Sequence, residues 1–591
     1  MKKCIIFGAS RTGSVAKEML EKEYEIIAFS DNSEKKWGQE FCEKRIINPI
    51  EIKKYKEISI IIASVYYAQI FIQLKEMGIE DIQVFYYRGN AIFKDGKDYI
   101  LYKLSEVKVF SKCKFDEKNI TKIRENYFYN YDLEEKENNK NKKQSIKERK
   151  KVLICAYIFP PLGGAGVQRS VKFVKYLRNF GYEPVVLTVG KNDGKIGYDY
   201  SLLDEIDDDI EIIRVDTDIF IPEALTLEEQ QEVFNLYCGV VQNSQWITDY
   251  LEDVFIKDSR LIPDEKIIWV NNCLKKIDSF VDFKEIDIIY TSGNPFSSYI
   301  LGFYLSKKHE IPWVQDYRDA WVGCDYYVEH YYSDQKVSID IQQKLEKELV
   351  KESDGIVVAA SFFINEYVKK YGVDSKKFIE ITNGYDEDDF SNINVEEKKN
   401  DKFTLCYNGS IYGDRSPIII IECINELIEE GEINQRDIAW IFNGAIDQFW
   451  ENELAQKDKY NIIVNNGYME HLKSIEISMN SDLLILLGLH DDGSKFGYTG
   501  KVFEYLRMQK YILGLSTPGG IYDEIFSKTN AGVNCDYNDK QGIKKIIKQR
   551  YILWKEIGCV KTETAWQEIH KYSRKQLTKQ LANYFDKIIS K

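Results

Sequence analysis

Short apolar runs alternate with stretches in which apolar residues recur at helical spacing along most of the chain. In the first part the runs are CIIFGAS, EIIAFSDN, ISIIIASV and IQVFYY, with helices predicted from about Ser14 to Glu23 and around Ala68 to Met77. Strands separated by helices cannot pair as hairpins, so the pattern predicts a parallel α/β sheet. This first unit is expected to span 1–95. Residues 96–150 form a connector, rich in Tyr and Lys at first and then almost wholly charged or amide from Glu134 to Lys150 (EEKENNKNKKQSIKERK). Such a stretch buries too little apolar surface to offset its ordering entropy and reads as a solvated linker or frayed helix.

The alternation restarts at Lys151 with KVLICAYIF, EPVVLTV, IEIIRV, IDIIYTSG, IPWVQDYRD, DGIVVAAS and FIEITNG, enough for a complete doubly wound domain over 151–390. A helical insert from Thr217 to about Pro263 interrupts it. Its aromatics Phe220, Phe234, Tyr237 and Trp246 are candidate acceptor contacts, with packing against the parent domain the competing explanation. A second series, FTLCYNGS, AWIFNG, NIIVNNGYM, DLLILLGL, YILGLS and AGVNCD, predicts another α/β domain over 391–575. A final helix at 576–591 is expected to cross back to the 151–390 domain, and a cleft is expected between the two tandem domains.

Composition narrows the class. With 591 residues, 44% apolar and 30% charged, the chain is long enough for several globular domains. Its net charge of -14 argues against a general affinity for nucleic acid, which needs a basic surface, and leaves room only for a local basic patch. No run approaches the about 20 apolar residues that span a bilayer. The opening MKKCIIFGAS leads straight into a strand, so a cytoplasmic protein is expected. The 11 cysteines occur without a C-x-x-C pair and the 5 histidines are dispersed, a pattern of reduced cysteines with no metal site.

Two clusters carry candidate chemistry. FPPLGGAGVQR, Phe159 to Arg169, follows the first strand of the middle domain. Gly163, Gly164 and Gly166 let backbone N–H groups approach an anion at the positive end of the next helix, although a plain strand-to-helix turn would also use glycine. FGYTGKVFEYL, Phe496 to Leu506, puts Lys501 at a predicted helix start and Glu504 one turn on, on the same face. Lys501 suits a diphosphate and Glu504 a pair of ribose hydroxyls; an exposed ion pair is the alternative. Asp316, Arg318 and Asp319 in QDYRDAW end a strand where open α/β sheets bind ligands. Asp316 or Asp319 could orient an acceptor hydroxyl or the transferred sugar, or either could clamp the loop to Arg318. Asn383 and Gly384 precede an acidic run, Asp386 to Asp389, that reads as a solvated turn at an inter-domain hinge.

Together with TSGNPFSSYILG (291–302), IPWVQDYRDAW (311–321), ITNGYDEDDF (381–390) and YNGSIYGDRSP (407–417), these clusters resemble, in order, the pattern of family 4 glycosyltransferases over 151 to about 540. The resemblance implies a GT-B fold and a retaining, metal-independent, hexosyltransferase-like transfer from a UDP- or GDP-sugar held mainly by the C-terminal domain, with no further cofactor. Carried over position by position, Gly164 lies near the donor phosphates, Arg415 and Lys501 bind the diphosphate, Glu504 binds the ribose and His471 lies near the base. The family's first glutamate of a spaced pair is replaced by Phe496. The implied setting is cell-surface polysaccharide synthesis, with a glycan or lipid-linked acceptor and peripheral contact at the inner membrane face.

The first unit carries GASRTG, with Gly8, Arg11 and Gly13 between strand and helix and Asp31 ending the second strand. It is similar to the dinucleotide fingerprint, with Ser10 in place of the middle glycine. It resembles the small nucleotide- or sugar-nucleotide-binding domains of polysaccharide-biosynthesis enzymes, and a purely structural module is the alternative. For the whole chain, a non-catalytic sugar-nucleotide scaffold and a sugar-nucleotide epimerase are the rival readings. An NAD-dependent redox role would need a hydride-transfer base that the chain does not display.

Overall fold

The computed structural model describes residues 1–56, 58–64, 67–87, 99–102, 149–190, 199–216, 227–241, 261–325, 328, 336–391, 393, 400–411, 415–488, 495–558 and 562–591. The chain divides into two compact units. One comprises Met1–Val167, Pro184–Asp316 and Ala320–Asp354, the other Gln168–Glu183, Tyr317–Asp319 and Gly355–Lys591. The fold class is α/β, built on parallel Rossmann-like sheets.

At the start of the first unit is a sheet with spatial order Glu40–Phe41, Lys44–Ile47, Tyr24–Ser30, Lys2–Phe7, Ser59–Ile62, Ile82–Tyr87, Tyr99–Tyr102. Its inner pairings are parallel and its two outermost pairings antiparallel. Cys4 and Ile6 enter the core on one face while Ile5 and Phe7 enter the core on the other. Helices cover both faces of such a sheet, so its strands read as continuous apolar runs. The first helix, Arg11–Leu20, begins right after the extended Ser10, earlier than the apolar spacing predicts. The last strand comes from the stretch read as a connector, so the sheet draws on chain beyond residue 95. Most of that connector, 103–148, lies outside the described residues.

Further along this unit the strand order is Glu211–Val215, Tyr182–Val189, Lys150–Cys155, Ile288–Gly293, Trp313–Tyr317. In the insert, Leu227–Val240 is helical as expected, but Tyr237 is 1% exposed and packs inside the fold, so it does not face an acceptor. Phe220, Trp246 and the Phe234 side chain lie outside the described residues.

The second unit contains the parallel pair Gly355–Val358 and Phe378–Glu380 and a six-stranded parallel sheet. The sheet's order is Ile463–Asn465, Ile438–Asn443, Phe403–Asn408, Leu483–Leu487, Tyr511–Leu515, Gly532–Cys535. Numbered within the series this is 3-2-1-4-5-6, the doubly wound order, with its switch point between Phe403–Asn408 and Leu483–Leu487. Leu483, Ile485 and Leu487 feed one core while Leu484 and Leu486 feed the other. The last helix, Arg574–Ile589, packs on residues from the 151–390 stretch. The Tyr182 hydroxyl donates to Asp586 (2.8 Å) and the Ile356 N–H donates to the Tyr584 hydroxyl (3.0 Å).

The acidic run at 386–389 is only partly the solvated turn expected: Asp388 is exposed, but Asp386 is not. Asp386 is 2% exposed and pairs with Lys172 (2.8 Å) and Lys175 (2.9 Å), and the Tyr176 hydroxyl donates to it. Burial pushes the Asp386 carboxyl up, but Lys172 and the hydrogen bonds from Lys172, Tyr176 and Lys175 outweigh it and hold the carboxyl well below its usual range. The lysines come from a helix far away in sequence, which is why the run reads as solvated when taken alone.

Candidate functional site

The carboxyl edge of the six-stranded sheet, at its switch point, gathers four of the expected residues in the second unit. Strand Phe403–Asn408 ends on Gly409, whose φ of +113° favours glycine. A Cβ there would stand 2.6 Å from Lys501 Nζ, so the ammonium lies directly over this backbone. Lys501 donates to the Tyr407 hydroxyl (2.9 Å) and sits 4.2 Å from the centre of that ring. It is the first residue of helix Lys501–Met508, after Gly500. A cation in a helix's first turn is opposed by the macrodipole, an effect of about 0.3–1 kcal/mol that an anion bound at the same place would reverse.

Arg415 belongs to the same neighbourhood. Burial pushes the Tyr522 and Tyr537 hydroxyls up, and at both Arg415 pulls down while Tyr407 pushes up. The two cations expected to hold a diphosphate therefore act on one tyrosine cluster, of which Tyr407 touches Lys501.

Glu504 lies one turn beyond Lys501. His471, first residue of helix His471–Met479, places Nε2 3.5 Å from Glu504 Oε1 and 3.7 Å from Asp389 Oδ2. Its contact with Asp389 first, then the charges of Glu504 and Asp389, outweigh desolvation and push the imidazole up to about 9. At neutral pH the ring is an imidazolium. Burial pushes the Glu504 carboxyl up and Asp389 adds to this, while His471, Arg574 and Lys501 work the other way. Phe496 stacks on Phe362, ring centres 3.8 Å apart.

The glycine loop and Asp316 belong to the first unit. Gly163 is buried, Gly164 has φ +96° with open space where a Cβ would be, and the helix begins at Ala165 with Gly166 in its first turn. Asp316 is fully buried near the end of strand Trp313–Tyr317, and its carbonyl accepts from the Tyr299 hydroxyl (2.8 Å). Asp319, in the second unit, pairs with Arg318 Nε (3.2 Å), the clamp considered from the sequence.

In the N-terminal sheet the fingerprint glycines have packing reasons of their own. Gly8 has φ +124°, and a Cβ at Gly13 would meet the Gly8 carbonyl oxygen at 1.9 Å. Asp31 reaches back to the loop, accepting from the Ala9 N–H (3.0 Å) and from Lys36 Nζ (2.9 Å) on one oxygen and from the Ser33 N–H (2.9 Å) on the other. Arg11 opens the following helix. Among the described residues no cluster of His, Cys, Asp and Glu could hold a metal ion, and no helix is long and apolar enough to cross a membrane.

Tyr407 and Asp389 touch the candidate residues and were missed by sequence reasoning. Tyr407 stands two residues before Gly409 in a quoted motif. Asp389 reads as one more charge of the acidic run.

Residues 1–85 match the family model C2185-like, N-terminal. No curated protein matches the chain. Among solved structures, it is similar to a glycosyltransferase from Rickettsia africae ESF-5, at 14% identity and a TM-score of 0.48 over 75% of this chain and 99% of that one. It is also similar to Anabaena HepE in complex with UDP (11%, TM-score 0.47, 74% and 100%). A third is sucrose-phosphate synthase from Thermosynechococcus elongatus (11%, TM-score 0.47, 75% and 100%).

Proposed function

We propose that the chain is a GT-B glycosyltransferase that moves a sugar, in a retaining and metal-independent reaction, from a UDP- or GDP-sugar to a glycan or lipid-linked acceptor. Its setting is cell-surface polysaccharide synthesis on the cytoplasmic side of the membrane. One observation carries this reading: Lys501 is held on Tyr407 at a helix N-terminus over Gly409, at the switch point of a doubly wound sheet, with Arg415 acting on Tyr522 and Tyr537, which Tyr407 also faces, and Glu504 one turn away.

Departure of a nucleoside diphosphate builds negative charge on its oxygens, and fixed cations stabilise that charge more in the transition state than before it. Arg415 and Lys501 supply the cations, and Glu504 accepts from the ribose hydroxyls. His471 pulls against the burial that pushes the Glu504 carboxyl up, and lies towards the base. Gly163, Gly164 and Gly166 offer backbone N–H groups to an anion, and Asp316 or Asp319 orients the acceptor hydroxyl or the transferred sugar. The N-terminal sheet is a small binding or structural module with Gly8, Arg11, Gly13 and Asp31 at its loop.

The test is calorimetric titration of the full chain with UDP and GDP. Lys501→Ala is expected to weaken binding by about ten- to a hundredfold, the worth of a charge-assisted hydrogen bond. Transfer by the wild-type protein is expected to persist in EDTA. Failure of the wild-type protein to bind either diphosphate rejects the reading.

A further inference from the structure

The turn that enters helix Lys501–Met508 carries glycine at 497 and 500, which leaves its backbone few restraints of its own. A buried side chain from another helix fixes it. Tyr522, second residue of helix Ile521–Thr529, is 1% exposed. Its hydroxyl accepts from the Thr499 N–H (2.9 Å) and lies 3.3 Å from Thr499 Oγ1 and 3.5 Å from the Gly497 carbonyl oxygen, two acceptors within reach of its own proton. One phenol therefore ties both ends of Gly497–Thr499.

The helix that carries Tyr522 is anchored at the same end. The N–H groups of Gly519 (2.9 Å) and Gly520 (3.3 Å) donate to Asp523 Oδ2, which also accepts from Asn534 Nδ2 (3.1 Å) on strand Gly532–Cys535. Gly520 has φ −106°, which any residue adopts, so backbone freedom does not account for its glycine. Space does, because a Cβ there would stand 2.6 Å from Lys495 Cα, just before the turn. A hydroxyl and a close backbone approach thus hold the same helix end against the same stretch of chain.

The candidate diphosphate cation lies just past the turn. Lys501 starts its helix two residues after Thr499, and the Tyr407 hydroxyl accepts from its ammonium (2.9 Å). Arg415 and Tyr407 both face the Tyr522 hydroxyl, so the clamp stands among the groups expected at the diphosphate. Packing alone would not need the hydroxyl: Phe526, one turn further along the same helix face, is buried without one.

We propose that Tyr522 is a positioning residue for the diphosphate cation: its hydroxyl clamps Gly497–Thr499 and so sets where helix Lys501–Met508 begins and where the Lys501 ammonium stands. Tyr407 fixes the tip of the lysine side chain, and Tyr522 fixes its root. A cation held at both ends loses less freedom when an anion binds, so more of its charge-assisted hydrogen bond appears as affinity. This role rests on the reading of Lys501 as a diphosphate ligand.

Calorimetric titration of the full-length protein compares wild type with Tyr522→Phe, Gly520→Ala, Lys501→Ala and the Tyr522→Phe/Lys501→Ala double variant. The probes are UDP, GDP and inorganic pyrophosphate, and each variant's melting temperature is recorded. Tyr551→Phe is the control. Its hydroxyl is also buried, but it bonds Asp437 (2.9 Å) and the Asn434 N–H (3.3 Å), before strand Ile438–Asn443 and so at the amino edge of the sheet. Tyr522→Phe is expected to weaken all three probes about three- to tenfold, the worth of one hydrogen bond. Gly520→Ala should weaken them too, whereas Tyr551→Phe should bind like wild type although both phenylalanine variants melt lower. On the Lys501→Ala background Tyr522→Phe should have no further effect. Wild-type affinity in Tyr522→Phe, an equal loss in Tyr551→Phe, or an undiminished loss on the Lys501→Ala background overturns the positioning role and leaves the nucleotide site standing. Failure of the wild-type protein to bind any of the three probes removes the nucleotide reading and this role together.

Discussion

His471 and Asp386 show how single charged residues tie distant segments of the second unit together. The folded imidazole titrates at about 9, above its ordinary 6.5, so its charge adds stability that is complete below pH 6.5 and is lost as the pH rises through 9. The ring is half-exposed, which screens the effect to the order of 1 kcal/mol. His471→Gln should therefore cost about 1 kcal/mol in urea unfolding at pH 6 and close to nothing at pH 10; an equal cost at both would mean that the imidazolium does no such work. Asp386 is different because its partner Lys172 is buried with it. Asp386→Asn takes from the buried Lys172 its closest carboxylate, leaving Asp389 at 3.8 Å, and should cost about 3 kcal/mol by the same measurement. Neither pairing was legible in the sequence. Lys501 and Glu504 share one helix turn and could be read from their spacing, whereas His471 meets Glu504, and Lys172 meets Asp386, only after separate helices pack. A charge whose partner lies far along the chain looks like a solvated charge.

At the scale of elements the sequence was a better guide, for a physical reason. Strands covered on both faces must be apolar at every position, and runs such as DLLILLGL or KVLICAYIF announce themselves. The strands that escaped notice, Glu40–Phe41, Lys44–Ile47 and Tyr99–Tyr102, lie at or next to the sheet's edges and are two to four residues long, so each carries too short a pattern to register. The loops between elements were read for function where packing also has a claim. Gly13 illustrates it: the helix approaches the Gly8 carbonyl so closely that Gly13→Ala must displace backbone, at about 1–3 kcal/mol. That cost should fall on the N-terminal sheet and leave UDP affinity unchanged. Gly164 has open space around it, so Gly164→Ala carries only the strain of its positive φ, about 1–2 kcal/mol. Comparing the two variants by melting and by UDP titration separates a glycine kept for packing from one kept for approach to a ligand.

For the molecule as a whole, the cores decide how it should respond to a ligand. The N-terminal sheet closes its own two clusters around Cys4, Ile6, Ile5 and Phe7, while the six-stranded sheet closes separate ones around Leu483, Ile485, Leu484 and Leu486. Cores built on different sheets are free to melt apart, so calorimetry of the full chain should resolve more than one transition. A ligand that binds one folded core stabilises that core alone, by about 2.7 kcal/mol at a hundredfold excess over its dissociation constant. In a unit of some 150–250 residues that corresponds to a rise of roughly 5–10 °C. UDP or GDP should therefore raise the transition that contains the Lys501 helix and leave the N-terminal sheet where it was. In Lys501→Ala the upper shift should shrink while the unliganded transitions stay in place, since the side chain removed is one the macrodipole opposes. A nucleotide that moved the N-terminal transition instead would transfer the binding role to the loop of Gly8, Gly13 and Asp31, where the acid is already engaged by Lys36 and the Ala9 N–H and would have to exchange those partners for a ribose.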